Sequence, residues 1–285
     1  MALTATIGSA LQRAPRRGSF GYLLPALLII ALFFIVPVCM LLLRSVLEPQ
    51  LGLQNYVALL GSTTYLRVFL NTFMVAGLVT IVSIIIGYPI AWLLAIMPER
   101  WSRLVLAIIV LSMWTNLLAR TYAWMVLLQR TGVVNKLLIG LGLIDKPLAL
   151  VNNLVGVTIG MTYIMLPFVI LPLMGVLRSI DPGILRAASL CGANKRQCFM
   201  LILLPLSLPG IAAGALMVFV MSLGYYVTPA LLGGTSNMML AELVAQFVQS
   251  LVNWGMGGAA AFVLLLVTLA LYAVQLRFFN PNRAR

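Results

Sequence analysis

The chain has 285 residues, of which 63% are hydrophobic and only 8% are charged. Soluble globular domains are about 25% charged, so this composition cannot cover an aqueous surface. The 18 Lys and Arg residues exceed the 5 Asp and Glu residues, which gives a formal net charge of +13. These basic residues lie between long apolar segments and form no patch with interleaved aromatics, which excludes nucleic acid as a partner. Because His is absent, imidazole catalysis and His-ligated metal are also excluded. The composition predicts an integral membrane protein that is not itself an enzyme.

The first uncharged run covers residues 18–43. It is longer than the apolar core of a cleaved signal peptide, which has about 7–15 residues, so it predicts a transmembrane helix. The three cysteines, Cys39, Cys191 and Cys198, indicate neither a disulfide framework nor a set of metal ligands. We therefore predict no catalytic residue and no metal site.

Further apolar segments follow along the chain, and a helix needs about 20 apolar residues to cross the hydrocarbon core. Residues 197–241 carry no charge, but this stretch is too long for one helix. Pro205, Pro209, Pro229 and the pair Gly233-Gly234 are expected to break it. The pattern predicts an all-α integral membrane fold with six transmembrane helices. These are residues 20–43, a helix within 68–97, residues 104–128, a helix within 147–177, residues 210–223 and residues 256–276.

The distribution of Lys and Arg predicts the orientation, because cytoplasmic loops are enriched in both. With a cytoplasmic N-terminus, twelve basic residues fall on the inner side and five on the outer side. Both termini are therefore predicted to be cytoplasmic, with basic tails at 1–19 and 280–285. Residues 20–65 would hold the first transmembrane helix and an external loop. Residues 240–253 carry apolar positions at helical spacing and are expected to lie on the outer membrane surface.

The most informative segment is the inner loop that follows the fourth span. Asp181-Pro182 predicts a helix start, because Asp can cap free amides and Pro suits the first helical position. Gly192 is expected to end this helix after about ten residues in a left-handed conformation. Asn194 would cap a second helix that climbs toward the membrane and is interrupted at Pro205 and at Pro209.

The residues of this loop form one continuous motif. It reads Arg186-Ala187-Ala188-Ser189-Leu190-Cys191-Gly192-Ala193, then Phe199, Ile202, Leu204-Pro205-Leu206 and Pro209-Gly210-Ile211. The motif resembles the EAA loop of bacterial ATP-binding-cassette (ABC) importer permeases. The resemblance implies the type I importer permease fold, with a permease core at 66–279 and a cytoplasmic coupling loop at 178–209. The helix of that loop would dock on a separate ATPase subunit. The coupling residues implied are Asp181, Arg186, Ala187, Ala188, Gly192, Ala193 and Pro205.

Arg186 departs from the family pattern, because the family usually has the Glu of Glu-Ala-Ala there. The reversed charge changes the ionic contacts that this position can make with an ATPase. Docking through the small face formed by Ala187, Ala188 and Gly192 is unaffected. We therefore expect a bulky side chain at Gly192 to uncouple transport from ATP hydrolysis.

Other segments resemble the spermidine/putrescine-type permeases. They are Trp114-Thr115-Asn116, Arg120-Thr121-Tyr122-Ala123-Trp124, Gly142-Leu143-Ile144-Asp145-Lys146-Pro147, Ile164-Met165-Leu166-Pro167-Phe168 and the run from Tyr226 to Gly234. Relatives of this architecture also carry iron, aminophosphonates and other small amines or amino acids, so these cargoes stay open alternatives.

The chemistry of the chain adds one constraint on a polyamine cargo. None of the five acidic residues lies inside a predicted span, whereas Arg120 does. Aromatic faces attract cations, and the same residue types also form the interfacial belts of membrane proteins. The candidates for the translocation path are Trp114, Asn116, Tyr122, Trp124, Tyr225 and Tyr226.

Three functional hypotheses follow for a multi-pass protein of the bacterial inner membrane. The first is the permease subunit of an ABC importer, working with ATPase subunits, a second permease that is a paralogue or a copy of this chain, an external or periplasmic substrate-binding protein, and membrane lipid. The chain has no phosphate-binding Gly-rich loop, so ATP would bind the partner ATPase and this chain itself needs no cofactor. The second is a self-sufficient secondary transporter, which would normally need more intramembrane ionisable residues than Arg120. The third is a membrane enzyme, for which no paired carboxylates or nucleophile–base set is present.

Overall fold

The computed structural model describes the backbone of residues 19–278 and the side-chain exposure of residues 24–273. Within these residues all regular secondary structure is helical. Of the predicted tails, 1–19 and 280–285, only Ser19 falls among the described residues.

The helices are numbered α1 to α12 along the chain. Three of them contain a π-helical stretch. α1 consists of Ser19–Ile30, the π-helical Ala31–Ile35 and Val36–Leu47. α9 consists of Lys195–Gln197, the π-helical Cys198–Leu203 and Leu204–Leu223. α11 consists of Leu240–Ala245 and the π-helical Gln246–Ser250. The others are α2 (Gln54–Gly61), α3 (Thr63–Ile96), α4 (Glu99–Met113), α5 (Leu117–Leu128), α6 (Val133–Gly140), α7 (Leu154–Ser179), α8 (Pro182–Leu190), α10 (Val227–Leu232) and α12 (Trp254–Phe278).

Five helices among the described residues are long and apolar enough to cross a membrane. They are Leu24–Leu47 of α1, α3, α7, α9 and Trp254–Ala273 of α12. A sixth crossing results when α4 and the following segment Leu117–Gly140 are taken as one bent span. The predicted all-α membrane fold is confirmed, with the third span in this bent form.

The prediction of one helix over residues 104–128 is wrong, because α4 and the following helical segment meet at 96°. The residues at the bend supply hydrogen bonds to both broken helix ends. The Thr115 hydroxyl donates to the Ser112 carbonyl at 2.7 Å. The Asn116 side chain caps α5 by accepting from the backbone N–H of Leu118 at 2.9 Å and of Ala119 at 3.3 Å. A helix boundary therefore lies within this apolar run, and the polar residues Thr115 and Asn116 stabilise it.

The expected interruptions at Pro205 and Pro209 are also wrong, because α9 is continuous from Lys195 to Leu223. The π-helical stretch that ends at Leu203 accounts for the continuity at Pro205. There the N–H of Leu204 donates to the Phe199 carbonyl, five residues back. This wider turn reduces the clash between a proline ring and the preceding turn of the helix. The fifth span is therefore much longer than the predicted 210–223.

The larger of two hydrophobic clusters surrounds α7, which packs against α3 and α9. Met161, Met165, Val169 and Leu173 of α7 have no exposed surface. Glycines permit the close approach of the three helices. A Cβ atom at Gly87 of α3 would lie 3.0 Å from the Val169 side chain, and one at Gly214 of α9 would lie 3.1 Å from the Val169 Cα. Small residues are the usual means of close packing between helices in a membrane.

The second cluster joins α12 to α2 and α11, and α12 also packs along α1. Leu240, Leu243 and Phe247 of α11 are buried there, packed with Leu59 of α2 and Met256 of α12. The prediction that the apolar side chains of residues 240–253 lie against the membrane surface is therefore wrong. The helical periodicity was correct, but the apolar face covers protein.

We predict that Gly214→Val destabilises the protein, because the added side chain must displace α7 backbone at Val169. Overpacking of this kind costs about 1–3 kcal/mol, which corresponds to a fall of several degrees in Tm. Thermal unfolding of the purified protein in detergent measures the effect. Gly175→Val is the matched control, because a Cβ atom there meets nothing within 4 Å. An equal Tm for the two variants would contradict the proposed packing.

Candidate coupling loop and translocation path

Helix α8 begins and ends where the sequence predicts. The Asp181 carboxylate accepts a hydrogen bond from the Gly183 N–H at 2.7 Å, with Pro182 at the first helical position. At the other end, Gly192 adopts a left-handed backbone with φ of +88°. The N–H of Ala193 then reaches the carbonyl of Ala188 at 3.0 Å, which completes the helix end.

The second half of the loop also begins as predicted. The Asn194 side chain accepts from the Gln197 N–H at 2.9 Å, and the Gln197 side chain accepts from the Asn194 N–H at 2.8 Å. This reciprocal capping box starts α9 directly after the α8 turn. The link between α8 and α9 is therefore only four residues long, residues 191–194, and it keeps α8 close to the first turn of α9.

Six of the seven predicted coupling residues lie on α8 or at its two ends. Arg186, Ala187 and Gly192 are exposed, and Leu190 is 90% exposed. Ala188 and Ala193 are half-buried. The structure separates Pro205 from this group, because it lies within the continuous α9, about 15 Å along the helix from its first residue. The exposed surface of α8 therefore consists of small and apolar side chains with one arginine.

The six candidate residues for the translocation path occupy different environments. Trp114 is 85% exposed at the bend between α4 and α5, and Asn116 is the cap of α5. Tyr122 is exposed on α5. Trp124 is half-buried and packs against Tyr163 of α7, with ring centroids 5.5 Å apart. Trp124 thus has a packing role, whereas Trp114 and Tyr122 present their rings outward.

The two tyrosines after α9 also differ from each other. Tyr226 lines an apolar cavity of about 630 Å³ whose walls come from α1, α9, α11 and α12. Tyr225 is half-buried and packs against the cluster around α7. Close to it in sequence, the buried Thr228 hydroxyl lies 3.3 Å from the Thr121 hydroxyl. This hydroxyl pair joins α5 to α10, and neither threonine was among the sequence candidates.

Two charged residues in this region have polar atoms without partners among the described residues. They are the buried Nε of Arg120 and the buried Oε2 of Glu242 on α11. Burial raises the pKa of the Glu242 carboxyl above its ordinary value, and a hydrogen bond from the Met239 backbone partly opposes this. Sequence reasoning assigned no role to Glu242, because it lies outside every apolar run long enough to span.

The family to which the chain belongs follows from its similarity to known proteins. The model of the family described as "Binding-protein-dependent transport system inner membrane component" matches residues 58–283. The chain belongs to this family. It is the permease component of an ABC importer and a protein of the inner membrane.

Two curated relatives and one solved structure illustrate the similarity. The "Spermidine/putrescine transport system permease protein PotB" of Salmonella typhimurium strain LT2 is 35% identical over 215 residues, which is 75% of each chain. The protein of the same name from Escherichia coli strain K12 is 34% identical over 75% of this chain and 78% of the relative. The crystal structure of a bacterial alginate ABC transporter with its pentasaccharide-bound periplasmic protein contains a chain with a TM-score of 0.71 at 18% identity. That match covers 91% of this chain and 94% of the other, and it shows the fold alone.

We predict that Glu242→Gln stabilises the protein progressively as pH rises. A carboxyl whose pKa is raised by folding contributes stability below its unfolded pKa and loses it as pH rises through the folded pKa. The Tm difference between the variant and the unchanged protein should therefore grow as the pH rises above the ordinary pKa of a glutamate carboxyl. Asp145→Asn, at an exposed carboxylate, is the control and should show no such growth. A lower Tm for Glu242→Gln throughout would contradict the prediction and indicate a cationic partner.

Proposed function

We propose that this chain forms one half of the translocation path of a polyamine importer. Its cargo would be spermidine or putrescine, delivered by an external or periplasmic binding protein. The observation that carries this assignment is the 34–35% identity to spermidine/putrescine permeases over 75% of the chain. The exposed aromatic rings of Trp114 and Tyr122 suit a cationic cargo, because aromatic faces attract cations by about 0.5–2 kcal/mol each.

Energy for transport comes from separate ATPase subunits, on which α8 docks. The exposed Ala187 and Gly192 allow a close approach, and a Cβ atom at Gly192 would meet nothing within 4 Å in this chain. The structural space around Gly192 is therefore available to a partner. In this arrangement the coupling loop at 178–209 and both termini lie in the cytoplasm, as the distribution of basic residues predicts, and the permease core at 66–279 spans the membrane. ATP binds the ATPase, and this chain carries no cofactor.

The second permease subunit completes the path. Arg120 is a cation at membrane depth whose Nε has no partner among the described residues, and such residues normally pair with an acid or line an aqueous path. A paralogous permease with a carboxylate near this position would neutralise Arg120 and leave an attractive path for a polycation. Two copies of this chain would instead bring a second Arg120.

A cargo with an anionic group is the second candidate. Arg120 is adjacent in sequence to Thr121, whose hydroxyl lies 3.3 Å from that of Thr228, and this combination of cation and donors suits a carboxylate or phosphonate. Amino acids and aminophosphonates meet that requirement, whereas polyamines do not. A self-sufficient secondary transporter is a weaker alternative, because the family is that of ABC importer permeases.

Uptake of labelled spermidine and putrescine is the direct test. The host should lack this gene and its other polyamine systems, and should be compared with and without a plasmid copy. We expect uptake to be lost without the gene, to return with the plasmid and to stop when cellular ATP is depleted. Unchanged spermidine and putrescine uptake would contradict a polyamine cargo. ATP-independent rescue would contradict the ABC mechanism.

We predict that Gly192→Trp uncouples transport from ATP hydrolysis, because the indole occupies the space into which the ATPase must fit. Uptake should fall at least about fivefold, the lower end of typical coupling energies. Gly192→Asn is the matched control, because Asn tolerates the left-handed backbone and is much smaller. Uptake and ATP hydrolysis are measured in proteoliposomes that contain the complete importer. Normal uptake by the Trp variant would contradict docking at this position.

A further inference from the structure

The end of α3 exposes a backbone carbonyl that its own helix cannot satisfy. The Leu94 carbonyl would normally accept from the N–H of residue 98, four positions later. Residue 98 is proline, which has no N–H. The chain then turns into α4, so no further helical donor follows. An external donor must therefore pair with Leu94 at this turn.

Two side chains from different helices supply the donors. The hydroxyl of Ser102, a fully buried residue of α4, donates to the Leu94 carbonyl at 2.7 Å. The Nη2 of Arg178, in the last turn of α7, donates to the Ser102 Oγ at 2.5 Å and lies 3.4 Å from the Leu94 carbonyl. Ends of α3, α4 and α7 are thereby joined at one point. The name Leu94 junction is used below for Leu94, Ser102 and Arg178.

Arg178 of the Leu94 junction lines the same cavity as residues of α8. Arg178 is four residues before Pro182, the first residue of α8. Between α8 and the spans is a cavity of about 380 Å³, lined in part by Trp92 of α3, Arg178 and Leu185 of α8. Because this space is incompletely filled, apolar packing between α8 and the spans is loose. The hydrogen bonds of Arg178 therefore connect the end of α7, next to α8, with α3 and α4.

We propose that Arg178 is a positioning residue that makes α8 and the α3–α4 turn move as one unit. When the ATPase subunits displace α8, the short link to α7 displaces Arg178, and its bonds carry the ends of α3 and α4 with it. The inference rests on the proposed function, because it assumes that α8 receives the ATPase movement.

The exposed ion pair beside the junction provides a matched control. Arg103 and Glu99 of α4 are 2.5 Å apart, but both side chains are about 70% exposed. Exposed pairs contribute little to stability, and this pair joins two residues of the same helix. Arg103→Met removes a guanidinium from the same turn without affecting any contact between helices.

The test compares Arg178→Met, Arg178→Lys, Ser102→Ala and Arg103→Met in the complete importer. For Arg178→Met we expect the ATPase to co-purify normally and ATP hydrolysis to continue, while uptake per ATP hydrolysed falls at least about fivefold. Arg178→Lys and Ser102→Ala should fall between this variant and the unchanged protein, because each keeps part of the junction. Arg103→Met should match the unchanged protein. Equal losses of hydrolysis and uptake, or a normal ratio, would overturn the proposal.

A distance measurement gives a second readout that does not depend on transport. Spin labels are placed at Arg100→Cys on α4 and Ser189→Cys on α8, after Cys39, Cys191 and Cys198 are replaced by Ser. In the otherwise unchanged protein the mean distance between the two labels should be the same with and without ATP. Arg178→Met should broaden the distribution of distances or shift its mean. A shift of about 5 Å or more with ATP, the size of a one-turn displacement, would overturn the proposal even if uptake falls. If the unchanged chain binds no ATPase at all, the proposed function itself fails, and this inference fails with it.

Discussion

The constraint on which this structure depends is that a membrane interior offers no water to pair with backbone polar groups. Several places where a described helix begins or bends carry a local partner. Asn116 caps α5 at the 96° bend, and Asn153 accepts from the Gly156 N–H at the start of α7. The π-helical turn before Pro205 serves the same requirement by shifting the hydrogen bonds instead of losing them.

Association of the helices depends on a different property, because lipid tails are as apolar as the side chains and provide no hydrophobic drive between spans. Contact must come from close packing, and Gly87 and Gly214 allow α3 and α9 to approach Val169 of α7. In consequence α7 is the most buried of the five spans. In its most apolar stretch 61% of the residues are buried inside the protein, whereas none are buried in the corresponding stretch of α1. The outward side chains of α1 are suited to lipid or to another subunit.

Features that depend on adjacent residues were predictable from the sequence. The capping by Asp181, the left-handed turn at Gly192 and the start of α9 at Asn194 each involve groups within a few positions of one another. The bend in the third span and the continuity through Pro205 were missed, because hydropathy does not register capping or a π-helical turn. The Arg178–Ser102 bond joins residues 76 positions apart, so only the packing of α4 against α7 brings it about.

In the proposed function, a helix of nine residues must act on spans of 26 and 34 residues. α8 follows α7 directly, and its Leu185 packs against the same cluster as Val169 and Leu173. Because the cavity beside Arg178 leaves α8 incompletely packed against the spans, a shift of α8 reaches the unit of α3, α7 and α9 through its short link to α7 and through the Arg178 bonds. The second cluster, around α12, is separated from that unit over part of its length by the apolar cavity that Tyr226 lines. The two clusters are therefore less closely packed against each other along this cavity than α3, α7 and α9 are around Val169.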